Sequence, residues 1–273
     1  MTADPRQPEQ PQQPEQPDQS SGGPDPNGSG AVGALVARLT ERPELPRTAS
    51  ERGRDLGSLA RAMAGSARRA GRASVLGGGW LVDLFVDTAP RIPVRDLATL
   101  RAHHPGLDAD DLAQALISGA AKSTGAVGAA GGALAAVQFT APPTLLSSPV
   151  QLAAETLLVA AVEVKLIAEL HEVYGVPVPG PTTRARMQTY LVAWTERRGI
   201  DPLSPGALRL SLGAAAKRSL RKRLVRRAGR NLSTLGPMMS GAVAGSVVNH
   251  RETRRLGEQV RDDVRRIGRS ADA

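Results

Sequence analysis

The chain has 273 residues, 41% of them hydrophobic, enough to bury a core within one domain plus a tail or two small domains. It has no cysteine, which excludes disulfides, thiolate metal sites and thiol catalysis. The formal charge of +9 is uneven: residues 1–30 carry −4, residues 31–181 balance 14 basic against 14 acidic groups, and residues 182–273 carry +13.

Met1 to Gly30 holds seven Pro and six Gln and almost nothing that can be buried, so a solvated Pro/Gln-rich disordered tail is expected ahead of a domain over 31–273. The start is acidic and Pro-rich, without the basic-then-apolar order of a secretory signal. A cytoplasmic location, at the inner face of the cell membrane, is the expectation. Six aromatics serve the whole chain, so the core is expected to be Ala, Leu and Val. The 31 Arg against 4 Lys, beside abundant Ala and Gly, fit a GC-rich bacterial genome.

From Ala31 the pattern turns helical. A short helix is predicted over Ala31–Thr40, stopping near Pro43 and Pro46. Thr48 or Ser50 caps a second, in which Leu56, Leu59, Ala60 and Met63 recur at helical spacing until Gly77-Gly78-Gly79. WLVDLFVDTA is apolar and of ambiguous type. Asp96–His104 reads as a helix closed by Pro105-Gly106, and Asp108 with Asp111 three residues on opens the next. Beyond Lys122 lie 32 residues without a charge, up to Glu155. That length permits a membrane span, but Gly and Ala dominate it and Pro142-Pro143 interrupts it, so a buried helix or re-entrant hairpin fits better. Gly128 and Gly132 are spaced for close helix contact.

Pro149–Tyr174, ending at Gly175, is apolar around almost its whole circumference and is expected to be the central helix. Arg184–Arg198 is another, with Tyr190 and Trp194 expected to stack four residues apart. Gly206–Arg230 follows, and a last helix runs from Gly236 or Met238 to Ile267, with Gly241 and Gly245 on one stripe. No β-alternation occurs. The predicted architecture is all-α, a bundle of about seven helices.

No catalytic, cofactor or metal site emerges. AKST at 121–124 lacks both P-loop glycines, with Ala121 and Leu116 in their places. The glycines of 125–132 have no preceding strand and read as a packing surface. Ser219 and Lys222 match SxxK only within a run of Arg, where a neutral Lys base is implausible. His103 and His104 are adjacent and diverge by about 100° on a helix, so they do not form a metal pair. Glu155, Glu163, Lys165 and Glu169 form a candidate core polar cluster. Converging carboxylates there would suit acid–base chemistry or a cation, whereas salt-bridged core residues would not.

The segment 217–230 carries Lys217, Arg218, Arg221, Lys222, Arg223, Arg226, Arg227 and Arg230 with no acid, around a narrow stripe of Leu220, Leu224, Val225 and Ala228. Such a helix suits anionic lipid or, as the second choice, nucleic-acid phosphates. Lipid is favoured because the uncharged stretch Asn231–Asn249 follows directly and no base-stacking aromatics accompany it.

Three segments carry a resemblance: LAQALISGAAKSTGAVGAAGGALAA, PVQLAAETLLVAAVEVKLIAELHEVYG and GPMMSGAVAGSVVNHRETRRLGEQVRDDVRR, together spanning about residues 110–270. They resemble the EcsC family of bacterial proteins. The resemblance implies membrane proximity and a membrane-transporter partner, with no defined catalytic motif to carry over. The expected role is therefore non-enzymatic and peripheral to an anionic membrane.

Overall fold

Capping chemistry fixes where the helices begin. Thr48 accepts from the backbone N–H of Glu51, whose carboxylate accepts from the Thr48 N–H, a complete capping box. Asp96 accepts from Thr99 N–H and Asp108 from Asp111 N–H, both at 2.8 Å. The computed structural model describes residues 29–45, 47–76, 79–140, 147–197 and 240–271. Among them are nine α-helices and no strand: α1 (Ser29–Thr40), α2 (Ala49–Ala70), α3 (Arg72–Leu76), α4 (Gly79–Thr88), α5 (Leu97–His103), α6 (Ala109–Thr140), α7 (Ser147–Val173), α8 (Thr183–Arg197) and α9 (Ser240–Ala271).

The all-α reading holds, with more helices than the seven expected. Two of the additions come from local breaks. Gly71, at φ 80°, ends α2 six residues before the glycine run that was expected to do so, and the short α3 follows. The ambiguous WLVDLFVDTA is helical, as α4, and buries Trp80, Leu81, Leu84 and Phe85. Trp80 donates to Ser66 Oγ at 3.0 Å, which ties α4 to α2.

The helix α7 is the hub. From Ala153 to Leu170 every residue is buried, as a helix apolar around its circumference requires. Gly175, at φ 61°, stops it, and the Val176 N–H returns to His171 O at 3.0 Å. Tyr190 and Trp194 of α8 do not stack on each other. Trp194 meets Phe85 edge-on, centroids 6.0 Å apart, and Tyr190 meets His171 edge-on at 5.3 Å. Each ring faces a different neighbouring helix.

The long helices α6 and α9 lie antiparallel. Their matched pairs run Asp110 with Arg265 (2.5 Å), Gln114 with Arg261 (3.1 Å), Thr124 with Thr253 (2.9 Å) and Gly128 against Gly245. At Gly128 the helices approach so closely that a Cβ there would stand 2.7 Å from Gly245 O. The helix α7 is antiparallel to α6 as well, since Tyr174 donates to Asp110 at one end and Gln151 donates to Gly131 O at the other.

Candidate functional site

Of the candidate core cluster, the structure brings Lys165 and Glu169 together and sends Glu163 and Glu155 to different partners. Lys165 and Glu169 pair at 2.7 Å one helical turn apart, both nearly inaccessible to solvent. A residue that sequence reasoning passed over completes this network. Arg95, just ahead of α5, grips Glu169 with two parallel bonds of 2.8 and 2.9 Å and also binds Glu44. Lys165 in addition donates to Pro93 O. Burial pushes the Lys165 ammonium below its ordinary value, against the charge and hydrogen bond of Glu169. Burial raises Glu44, but hydrogen bonds from its backbone and from Arg95 outweigh it and hold the carboxyl below its usual range. The network pins the segment between α4 and α5 to the hub.

Glu163, fully buried, accepts from Trp194 Nε1 and from Thr253 Oγ1, both at 2.8 Å, while Thr124 Oγ1 donates to Thr253. This polar crossing links α6, α7, α8 and α9. Glu155 sits near the other end of α7, where Gln151 Nε2 bonds both its carboxyl and Gly131 O. Burial pushes its carboxyl up to about 7, against the Gln151 hydrogen bond. These carboxylates therefore do not share one pocket, and acid–base or cation chemistry built on all three loses its geometric basis. Among the described residues no group of three or more His, Asp or Glu is placed to hold a metal ion.

The second constellation is a pole of the bundle. The end of α6 beyond Gly128, the start of α7 and the start of α9 meet there, and those segments contain no Asp, Glu, Lys or Arg other than Glu155. The two uncharged stretches singled out in the sequence, 123–154 and 231–249, thus converge where the structure describes them. On the outer face of α9 Val243 is 64% exposed, with Val247 and Val248 also open to solvent. One turn further along the same face come Arg251, Arg254 and Arg255, all exposed, and Lys122 is exposed on α6. The opposite pole is polar: Tyr174, Asp110 and Arg265 join there, about 30 Å away along α6 at 1.5 Å per residue. No described helix is long and apolar enough to cross a membrane. The eight basic residues from Lys217 to Arg230, together with residues 1–28, lie outside the described residues.

No family model matches the chain, and neither a curated protein nor a solved structure matches it.

Proposed function

We propose that the protein is a non-enzymatic, EcsC-like peripheral membrane protein that docks its charge-free pole on an anionic bilayer surface. One observation carries the reading: exposed Val243, Val247 and Val248 sit at that pole and are followed, on the same helix face, by Arg251, Arg254 and Arg255. From Val243 to Arg251 is about 12 Å along the helix, close to the roughly 5–10 Å by which an apolar face enters the headgroup boundary. Arginines at that depth would meet phosphates, each contributing about 1 kcal/mol near an anionic surface. The basic run from Lys217 to Arg230 directly precedes this pole in sequence and would add to the attraction.

Vesicle co-sedimentation tests the proposal. The intact chain is expected to pellet with phosphatidylglycerol vesicles and not with phosphatidylcholine alone, and to be released by high salt. Replacing Arg221, Arg223, Arg226 and Arg227 with Glu should abolish pelleting, and the pair Val243→Asp and Val247→Asp should reduce it at least fivefold. Equal pelleting by wild type and both variants would overturn the reading. Steeply salt-dependent binding to duplex DNA with none to vesicles would replace it by nucleic-acid binding.

A further inference from the structure

A cleft lies on the other flank of α6, between the α1–α2 connection, α2 and α7. Its rim carries Arg42, Arg47 and Arg52, its wall Leu39, Leu56 and Leu158, and its back Ser123 of α6; the free space amounts to about 460 Å³ when the open mouth is counted. The charges do not cancel. Asp55, the one acid lining it, already takes Arg47 at 2.8 Å and Arg38 at 3.5 Å. Arg42 and Arg52 form no ion pair with any described residue, and Arg52 makes only a long bond of 3.4 Å to Arg47 O.

Arg52 is half-buried, and burial together with the neighbouring Arg47 holds its guanidinium below the ordinary value. Asp55 and Glu51 offset part of this without pairing directly with Arg52, so an arginine that gives up water beside a second arginine is further stabilised by an anion from solution. Ser123 offers a hydroxyl on the same cleft. It is 6% exposed, lines the cleft, and its hydroxyl has no hydrogen-bond partner among the described residues. The N-terminus of α2 is not the attractor, because Thr48 and Glu51 already satisfy it.

We propose that this cleft binds one phosphate-type oxyanion, with Arg42 and Arg52 gripping its oxygens and the Ser123 hydroxyl donating from behind. Guanidinium forks match the spacing of phosphate oxygens, and the leucine wall excludes the water that would compete. The group is either free phosphate or the terminal phosphate of a lipid, since Val127 and Ala130 on the same wall belong to the pole-side half of α6. The site does not depend on membrane docking, because the free ion would fill it equally well.

Calorimetric titration of the full-length protein with inorganic phosphate, in a phosphate-free buffer, is the test. Saturable one-to-one binding is expected, weakened at least tenfold by Arg52→Gln or Arg42→Gln and several-fold by Ser123→Ala. Arg54→Gln, exposed on the same helix, should leave it unchanged. Phosphatidic acid vesicles separate the two sources. Displacement of the protein from them by inorganic phosphate assigns the lipid group, and phosphate binding that vesicles do not compete for assigns the free ion. Absence of saturable phosphate binding, or equal affinity in Arg52→Gln and Arg54→Gln, overturns the proposal whether or not the protein binds vesicles.

Discussion

Glu155 is a carboxyl placed where ionisation is costly. It is 8% exposed, its one hydrogen-bonding side chain among the described residues is the neutral Gln151, and burial pushes its pKa up to about 7 from the ordinary 4.5. Between those values the folded chain holds a proton that the unfolded chain has released, so stability falls as pH rises through the window and the loss is complete above it. Glu155→Gln mimics the protonated form. The variant should match wild type near pH 4 and exceed it at pH 8 by about 3 kcal/mol, read from denaturant midpoints at the two pH values. An unchanged offset between the two would show that the carboxyl is not the source. A side chain that is charge-free at mildly acidic pH also keeps the pole charge-free.

At the same scale, the sequence disclosed the polar residues of the hub but not their pairings. Glu155, Glu163, Lys165 and Glu169 stood out because ionisable groups interrupted an apolar helix. Arg95 did not stand out, because it lies in a loop 74 positions from Glu169 and nothing in its spacing announces burial. Arg52 was invisible for the same reason: an unpaired guanidinium becomes a signal only once its surroundings are known.

At the scale of elements, local chemistry carries far and long-range chemistry does not. Thr48, Asp96, Asp108 and Gly175 mark helix ends by rules that operate within four residues, and each marks one here. Tyr190 and Trp194 failed as a stacked pair because spacing on one helix says nothing about which helix comes opposite. The small residues of α6 and α9 were legible as packing surfaces, and their partnership was not. That partnership makes Gly128 and Gly53 a matched test. A Cβ at Gly128 would meet Gly245 backbone at 2.7 Å, whereas at Gly53 nothing lies within 4 Å. Gly128→Ala should cost about 1–3 kcal/mol as α9 is pushed away. Gly53→Ala should gain up to about 1 kcal/mol from helix propensity alone. Chemical denaturation of both reads the sign, and a neutral Gly128→Ala would mean that the crossing yields.

At the scale of the molecule, fold class followed from period and composition, since a chain without β-alternation and with long apolar helices has few ways to bury its surface. The bipolar arrangement did not follow. Charge counts locate +13 in the last third of the chain, but which ends of which helices share a pole depends on the antiparallel pairing of α6 with both α7 and α9. The proposed docking face therefore appears only in three dimensions.

That pairing also sets a timetable. One partner of α6 is α9, the last of the described helices, so on the ribosome α6 and α7 emerge before the α9 contacts can form. At about 5–20 residues per second, the hundred or so residues between α7 and the end of α9 take on the order of ten seconds to make. During that interval the Gly/Ala flank of α6 and the Thr124 hydroxyl lack the contacts that α9 supplies, and the Glu163 carboxylate has its bond from Trp194 but not yet the one from Thr253. A nascent chain stalled at residue 239 should be cut by protease within α6, and release of the full chain should end that sensitivity. The antiparallel pairing thus leaves an interval during synthesis in which α6 waits for α9.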